Sequence, residues 1–129
     1  MITAYLLGIS THYEGEDVEI RLHVLKDQEL LLKETFFKEY EKPLVVEHVA
    51  LLELLNRLEK FKEEDITVII NNPALYEQIR GTSTSKNRDV MNMARKVRER
   101  LKKFGNSVIV KDVSDDKVEL TKWKEILES

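Results

Sequence analysis

The run Ile66-Thr67-Val68-Ile69-Ile70, which passes directly into Asn71-Asn72-Pro73, constrains this chain more than any other stretch. Five consecutive β-branched residues with no polar alternation make a strand that needs cover on both faces, which places it in the middle of a sheet flanked by helices. The residues that follow end it at once. Asn72 can cap a helix, Pro73 suits the first helical position because it has no N–H to satisfy, and Gly81 closes the helix in a conformation cheap only for glycine. In open α/β sheets the functional crevice lies beyond the carboxyl ends of the strands, and that end is here Asn71.

The rest of the chain can be placed around this unit. With 129 residues, two prolines and four glycines, it is long enough for one core and too short for two, so residues 1–129 are expected to form a single domain. Residues 2–10 read as a first strand, with Gly8 marking a bulge or a close backbone approach near its end. Val18, Ile20, Leu22 and Val24 alternate with Glu19, Arg21 and His23, which predicts a second strand with one buried and one wet face. A break at Lys26-Asp27-Gln28 precedes a third run over 29–37, completing an antiparallel meander in which Leu30 to Leu32 blur the alternation.

From 43 to 62 the period becomes helical. Leu44, Leu51, Leu55 and Leu58 share a stripe, flanked by Leu52, Leu54 and Phe61, and Glu47 lies in line with core leucines at 51, 54 and 58. A polar loop over 82–88 leads to a second long helix over 89–104, whose apolar stripe is Val90, Met93, Ala94, Val97, Leu101 and Phe104. A short strand at 107–111, an acidic loop at 112–116 and a terminal helix at 118–127 containing Trp123 complete the order.

Composition narrows the function classes. The absence of cysteine excludes a disulfide framework and thiolate zinc sites, and no segment has the roughly 18 apolar residues of a membrane span, so a cytoplasmic protein with no membrane partner is expected. Charged residues make up 35% of the chain, mostly Lys and Glu, a bias met in heat-stable proteins. Between Arg80 and Lys103 nine basic residues stand against Asp89 and Glu99, a local +7 in a chain of net −3, which leaves −10 for the remainder. One basic face on an acidic body suits a polyanion.

His12, His23 and His48 lack metal-ligand spacing and read as ordinary turn, strand-face and helix-surface residues. There is no Gly-rich phosphate loop, and no His neighbours Ser83 or Ser85 to activate a nucleophile. The loop does concentrate Thr82, Ser83, Ser85, Lys86, Asn87 and Arg88 at a helix N-terminus, an arrangement that can hold a phosphate or simply cap the helix through Asn87. Along that helix Arg88, Arg95 and Lys102, and likewise Lys96 and Lys103, recur at seven-residue spacing and so share faces.

The order strand, strand, strand, helix, strand, helix, helix, strand, helix resembles the ribonuclease H family. The resemblance spans nearly the whole chain and rests on Leu7-Gly8, Glu47-His48-Val49-Ala50-Leu51, Val68-Ile69-Ile70-Asn71-Asn72, Gln78-Ile79-Arg80-Gly81 and Lys86-Asn87. It implies an α/β fold with a five-stranded mixed sheet, an antiparallel meander plus parallel strands, flanked by helices. It also implies carboxylates from strand one, helix one, strand four and the last helix holding two divalent ions about 4 Å apart. Those positions fall on Leu7, Glu47, Asn71 and one of Asp115, Asp116 and Glu119. Leu7 has no ligand atom, and Asn71 offers one neutral carbonyl oxygen.

The expected function is therefore a catalytically inactive ribonuclease H-like domain with no cofactor, binding RNA or an RNA–DNA hybrid through the basic loop with Arg95, Lys96 and Lys103. One alternative is a divergent nuclease holding Mg²⁺ or Mn²⁺ on Glu47, Asp115, Asp116 and Glu119. Another is a protein-interaction or homodimerisation module, suggested by Leu30 to Leu32, Phe36 and Phe37 near a sheet edge.

Overall fold

The computed structural model describes residues 1–10, 16–39, 45–82 and 85–128. Three antiparallel strands come first: β1 (Ile2–Ile9), β2 (Val18–Lys26) and β3 (Glu29–Lys38). Helix α1 (Val46–Leu58) runs into a 3-10 turn (Glu59–Phe61) and returns the chain to β4 (Ile66–Ile70), which lies parallel to β1. Helices α2 (Pro73–Arg80) and α3 (Arg88–Lys102) then bring it back to β5 (Val108–Asp112), parallel to β4, and α4 (Lys117–Glu128) follows. The sheet order is β3-β2-β1-β4-β5, so the β-branched run occupies an interior strand as its composition requires.

Each face of the sheet has its own cluster. Ile2, Ala4 and Leu6 of β1 pack with the alternating residues of β2 and with Leu51, Leu54, Leu55 and Leu58 of α1. Tyr5 and Ile69 point the other way, joining Val113, Trp123 and Leu127 with Leu7, Leu25 and Leu120 against them. Successive side chains of a strand take opposite faces, so one strand feeds both clusters.

Three local features differ from, or refine, the pattern read in the sequence. The blurred alternation at Leu30 to Leu32 is a bulge: Leu32 faces Val24 while Leu30 faces Leu25, so one extra residue sits in β3. Leu30, Leu31 and Phe37 are exposed on that edge strand. The expected wet face of β2 is half-covered, because α4 crosses it and Arg21 Nη1 donates to the Leu127 carbonyl at 3.0 Å. Asp112 is the last residue of β5 and not part of the acidic loop.

The edge strand β3 is tied to α1 by ion pairs. Arg57 donates from Nε and Nη2 to Glu34 at 2.6 and 2.9 Å, and from Nη1 to Glu53 at 2.8 Å, while its guanidinium lies 4.6 Å from the Phe36 ring centre. Lys38 adds a second pair to Glu53. A bidentate pair sharing two elements holds better than isolated surface pairs do.

Candidate nucleic-acid interface and strand-end crevice

Strands β4 and β5 end side by side at Ile70 and Asp112, β1 runs on past them to Ile9, and the start of α1 meets β1 there. Its entry depends on Gly8: a Cβ at this position would lie 2.7 Å from Val46 Cγ1 and 3.1 Å from the Val46 carbonyl oxygen. The close approach expected of Gly8 is thus a contact with the first turn of α1. It brings the Gly8 backbone N–H onto the Glu47 carboxylate, which burial nonetheless pushes up to a pKa of about 7.

Beside Glu47 lies a buried polar pair. His48 is buried against α2 and is not the helix-surface residue its sequence context suggests, because the side of α1 it occupies is roofed by Gln78. The two meet at 2.7 Å through His48 Nε2 and Gln78 Oε1, and burial holds the imidazole pKa below its ordinary value. Arg98 Nη1 donates to the Gln78 carbonyl at 2.9 Å, so α1, α2 and α3 are linked through one glutamine. His23 is a half-buried strand-face residue, and His12 lies outside the described residues.

The ends of β4 and β5 are held by a residue that sequence reasoning passed over. Asp112 Oδ1 accepts from the Asn72 backbone N–H at 3.1 Å, and the same carboxylate accepts from the Ser114 N–H and, at 2.6 Å, from its hydroxyl. The Asp-x-Ser spacing was the available signal, since such a pair closes a local turn. Asn72 caps α2 through Leu75 N–H at 3.0 Å, and Gly81 closes it at φ 74°, both as read from the sequence.

The remaining acidic candidates take separate places. Asp116 caps α4, accepting from the Glu119 N–H at 3.1 Å, and Asp115 is exposed. Glu119 lies near enough to Tyr5 to add to the upward shift that burial gives that phenol. Asn71 is half-buried just past β4, and Leu7 packs into the apolar cluster under α4. Among the described residues no three of His, Cys, Asp and Glu come together in a way that could hold a metal ion.

The basic residues begin at the same end. Asn87 Oδ1 caps α3, accepting from Asp89 and Val90 N–H at 2.9 and 3.2 Å, so it has only its amide N–H groups to offer a phosphate. Ser85 Oγ accepts from Asn87 N–H, and the Thr82 hydroxyl turns back onto Glu77. Ser83 lies outside the described residues. Lys86 and Arg88 are exposed around the cap.

From there α3 runs alongside α1 for about 22 Å at 1.5 Å per residue. Met93 and Lys96 stand beside Val49 and Leu52, Arg100 donates to Asn56, and Lys103 stands beside Glu59. Lys96, Arg100 and Lys103 thus line a cleft of about 460 Å³ against α1 that also contains Lys38, Glu53 and Glu99. Arg98 and Lys102 line a different groove, against α2 and β5. The structure therefore divides the basic residues between two flanks, with Lys103 at the end remote from the crevice.

No protein-family model and no curated protein matches the sequence. Solved structures do match. An RNase H1 called LC11, isolated from compost by a metagenomic approach, gives a TM-score of 0.77 at 14% identity, covering 98% of this chain and 95% of that one. RNase H1 from the halophilic archaeon Halobacterium salinarum NRC-1 gives 0.77 at 16% identity, over 98% and 94%.

The fold is ribonuclease H-like. LC11-RNase H1 has also been solved in complex with an RNA/DNA hybrid, and this ribonuclease H-like chain matches that structure at a TM-score of 0.78 and 14% identity, over 99% and 94%. At such identity the likeness establishes architecture and element order. Chemistry depends on the side chains that this chain itself places at the site.

Proposed function

We propose that this ribonuclease H-like chain binds structured nucleic acid, in particular an RNA-containing duplex, and does not cleave it. The observation that carries the reading is the pairing of two features at one end of the sheet: the exposed cations Lys86 and Arg88 around the capped start of α3, and Leu7 packed among apolar residues at the end of β1. Lys86 and Arg88 meet phosphates where the helix N-terminus adds its own positive end, and Arg95 and Lys96 extend the contact along α3. The complex of the similar LC11-RNase H1 with an RNA/DNA hybrid supports the substrate class. Sequence preference should be slight, because phosphate contacts position a duplex without reading it.

Cleavage of a phosphodiester by two divalent ions needs anionic oxygens to offset the repulsion between the ions. Leu7 supplies none, and Asn71 supplies one neutral carbonyl. Glu47 belongs to no group of three ligand-bearing side chains among the described residues, and one carboxylate is a poor metal site by itself.

Anisotropy titration of a labelled RNA·DNA hybrid at several salt concentrations tests the binding. If Lys86, Arg88, Arg95 and Lys96 each neutralise one phosphate, the log–log salt slope is about −3.6, and affinity falls about 10²-fold between 50 and 200 mM salt. Lys86→Glu with Arg88→Glu should abolish most of it. Absence of binding at low salt, or binding insensitive to that double reversal, contradicts the proposal.

A further inference from the structure

Neither edge strand, β3 or β5, has an outer neighbour among the described residues, and their surroundings differ. Beside β3 the charges are mixed, with Arg57 bridging Glu34 and Glu53 and Lys38 paired to Glu53. Nothing there selects one kind of partner. The outer edge of β5 has no strand paired to it among the described residues, and its setting is one-sided in charge.

On one face of β5, Val108 and Val110 are half-buried in the wall of a groove of about 380 Å³, whose remaining apolar lining is Tyr76, Ile79 and Leu101. Arg80, Arg98 and Lys102 rim it, and no acidic residue lines it. On the other face Ile109 is 64% exposed, because α4 packs against β1 and β2. A strand with apolar side chains half-buried on one face and exposed on the other, and with an outer edge unpaired among the described residues, is matched by another extended segment. Such a segment satisfies the edge N–H and C=O groups and covers both faces with its alternating side chains.

Charge then chooses among extended segments. A second copy adding through the same edge would bring two sets of Arg80, Arg98 and Lys102 together, which disfavours it. We propose that the outer edge of β5, with the groove between α2 and α3, is a docking site for an extended acidic and apolar segment of a partner protein, held by strand addition. Carboxylates of the partner reach Arg80 and Lys102, both exposed, while Arg98 stays anchored on the Gln78 carbonyl and closes the groove wall.

The site is separate from the basic start of α3, so the two readings can fail independently. The probe is a short fluorescein-labelled peptide alternating Glu and Val, followed by anisotropy and by amide exchange over residues 108–112. Saturable binding with slowed exchange in β5 is expected, weakened about tenfold or more by Arg80→Glu with Lys102→Glu. Ile109→Ser serves as a second variant that touches no rim cation and adds no charge, and it should also weaken binding. Lys86→Glu with Arg88→Glu should leave it unchanged. Equal binding of a Lys–Val peptide, protection appearing on β3 in place of β5, or affinity unmoved by the rim reversal would overturn the proposal. So would displacement of the peptide by an RNA·DNA hybrid, which would assign the groove to nucleic acid.

Discussion

The two faces of β1 end differently at the crevice. On the α1 face Ile2, Ala4 and Leu6 give way to Gly8, whose lack of a Cβ lets Val46 approach and places the Glu47 carboxylate on a backbone N–H. On the α4 face Tyr5 is followed by Leu7, and the apolar cluster of Ile69, Val113 and Trp123 continues to the strand end. One face keeps a polar terminus, and the other closes with packing. Burying an alkyl side chain at a strand end stabilises it, whereas burying a lone carboxylate there costs desolvation.

The largest expected contrast is in stability. Leu55, fully buried between α1 and the sheet, should cost about 2–5 kcal/mol as Leu55→Ala, whereas Leu7→Ala, half-buried under α4, should cost about 1 kcal/mol. Urea denaturation of both variants measures the difference. Equal losses would mean that the α4 cluster is as central as the α1 core.

Next comes a pH effect confined to the α1 face. The folded pKa of Glu47 is raised from 4.5 to about 7, so the native state binds the proton more tightly than the unfolded chain does. Stability is therefore lost as pH rises from about 4.5 to 7, by at most about 3 kcal/mol. Glu47→Gln should recover that loss at pH 8 and gain nothing at pH 4. His48, whose folded pKa is lowered, removes stability as pH falls, but it does so equally in both proteins and cancels in the comparison. A pH-independent difference between the two proteins would show that Glu47 is not the group responsible.

Gly8→Ala should follow, at about 1–3 kcal/mol, because the new methyl must displace a stiff Val46 and its backbone. A neutral result would mean that α1 can move away from β1 without loss.

How much of this was legible in the sequence varies with the range of the interaction that decides it. The interior position of β4, the caps Asn72, Gly81 and Asn87, and the leucines at 51, 54, 55 and 58 of α1 are local patterns and are seen, while Leu44 of the same stripe lies outside the described residues. Gly8 signalled a close approach, though not to which residue. The bulge at Leu31 depends on register against β2, and the burial of His48 depends on where α2 docks, so neither has a signature within its own element. Asp112 showed locally only through its Asp-x-Ser turn, and its hold on the Asn72 backbone, forty residues away, had no signature in its own element.

The smallest expected effect is a null. Millimolar Mg²⁺ or Mn²⁺ should leave the thermal midpoint of the protein unchanged beyond a salt control, since binding to the native state alone raises it by mass action. Leu7→Asp with Asn71→Asp should lower the midpoint in metal-free buffer by placing charges in the apolar cluster under α4 and at the half-buried end of β4, and Mn²⁺ should recover part of that loss in the double variant only. A midpoint rise in the unaltered protein would indicate a metal site built from other residues.

The central claim, binding without cleavage, is met most directly by incubating an RNA·DNA hybrid labelled on its RNA strand with excess protein in Mg²⁺ and in Mn²⁺. A native gel then shows whether the hybrid is bound, and a denaturing gel shows whether the RNA is intact. A shifted hybrid whose RNA strand remains full length is the expected result. RNA fragments that disappear with Glu47→Gln would contradict it, because they would place a working carboxylate at the start of α1.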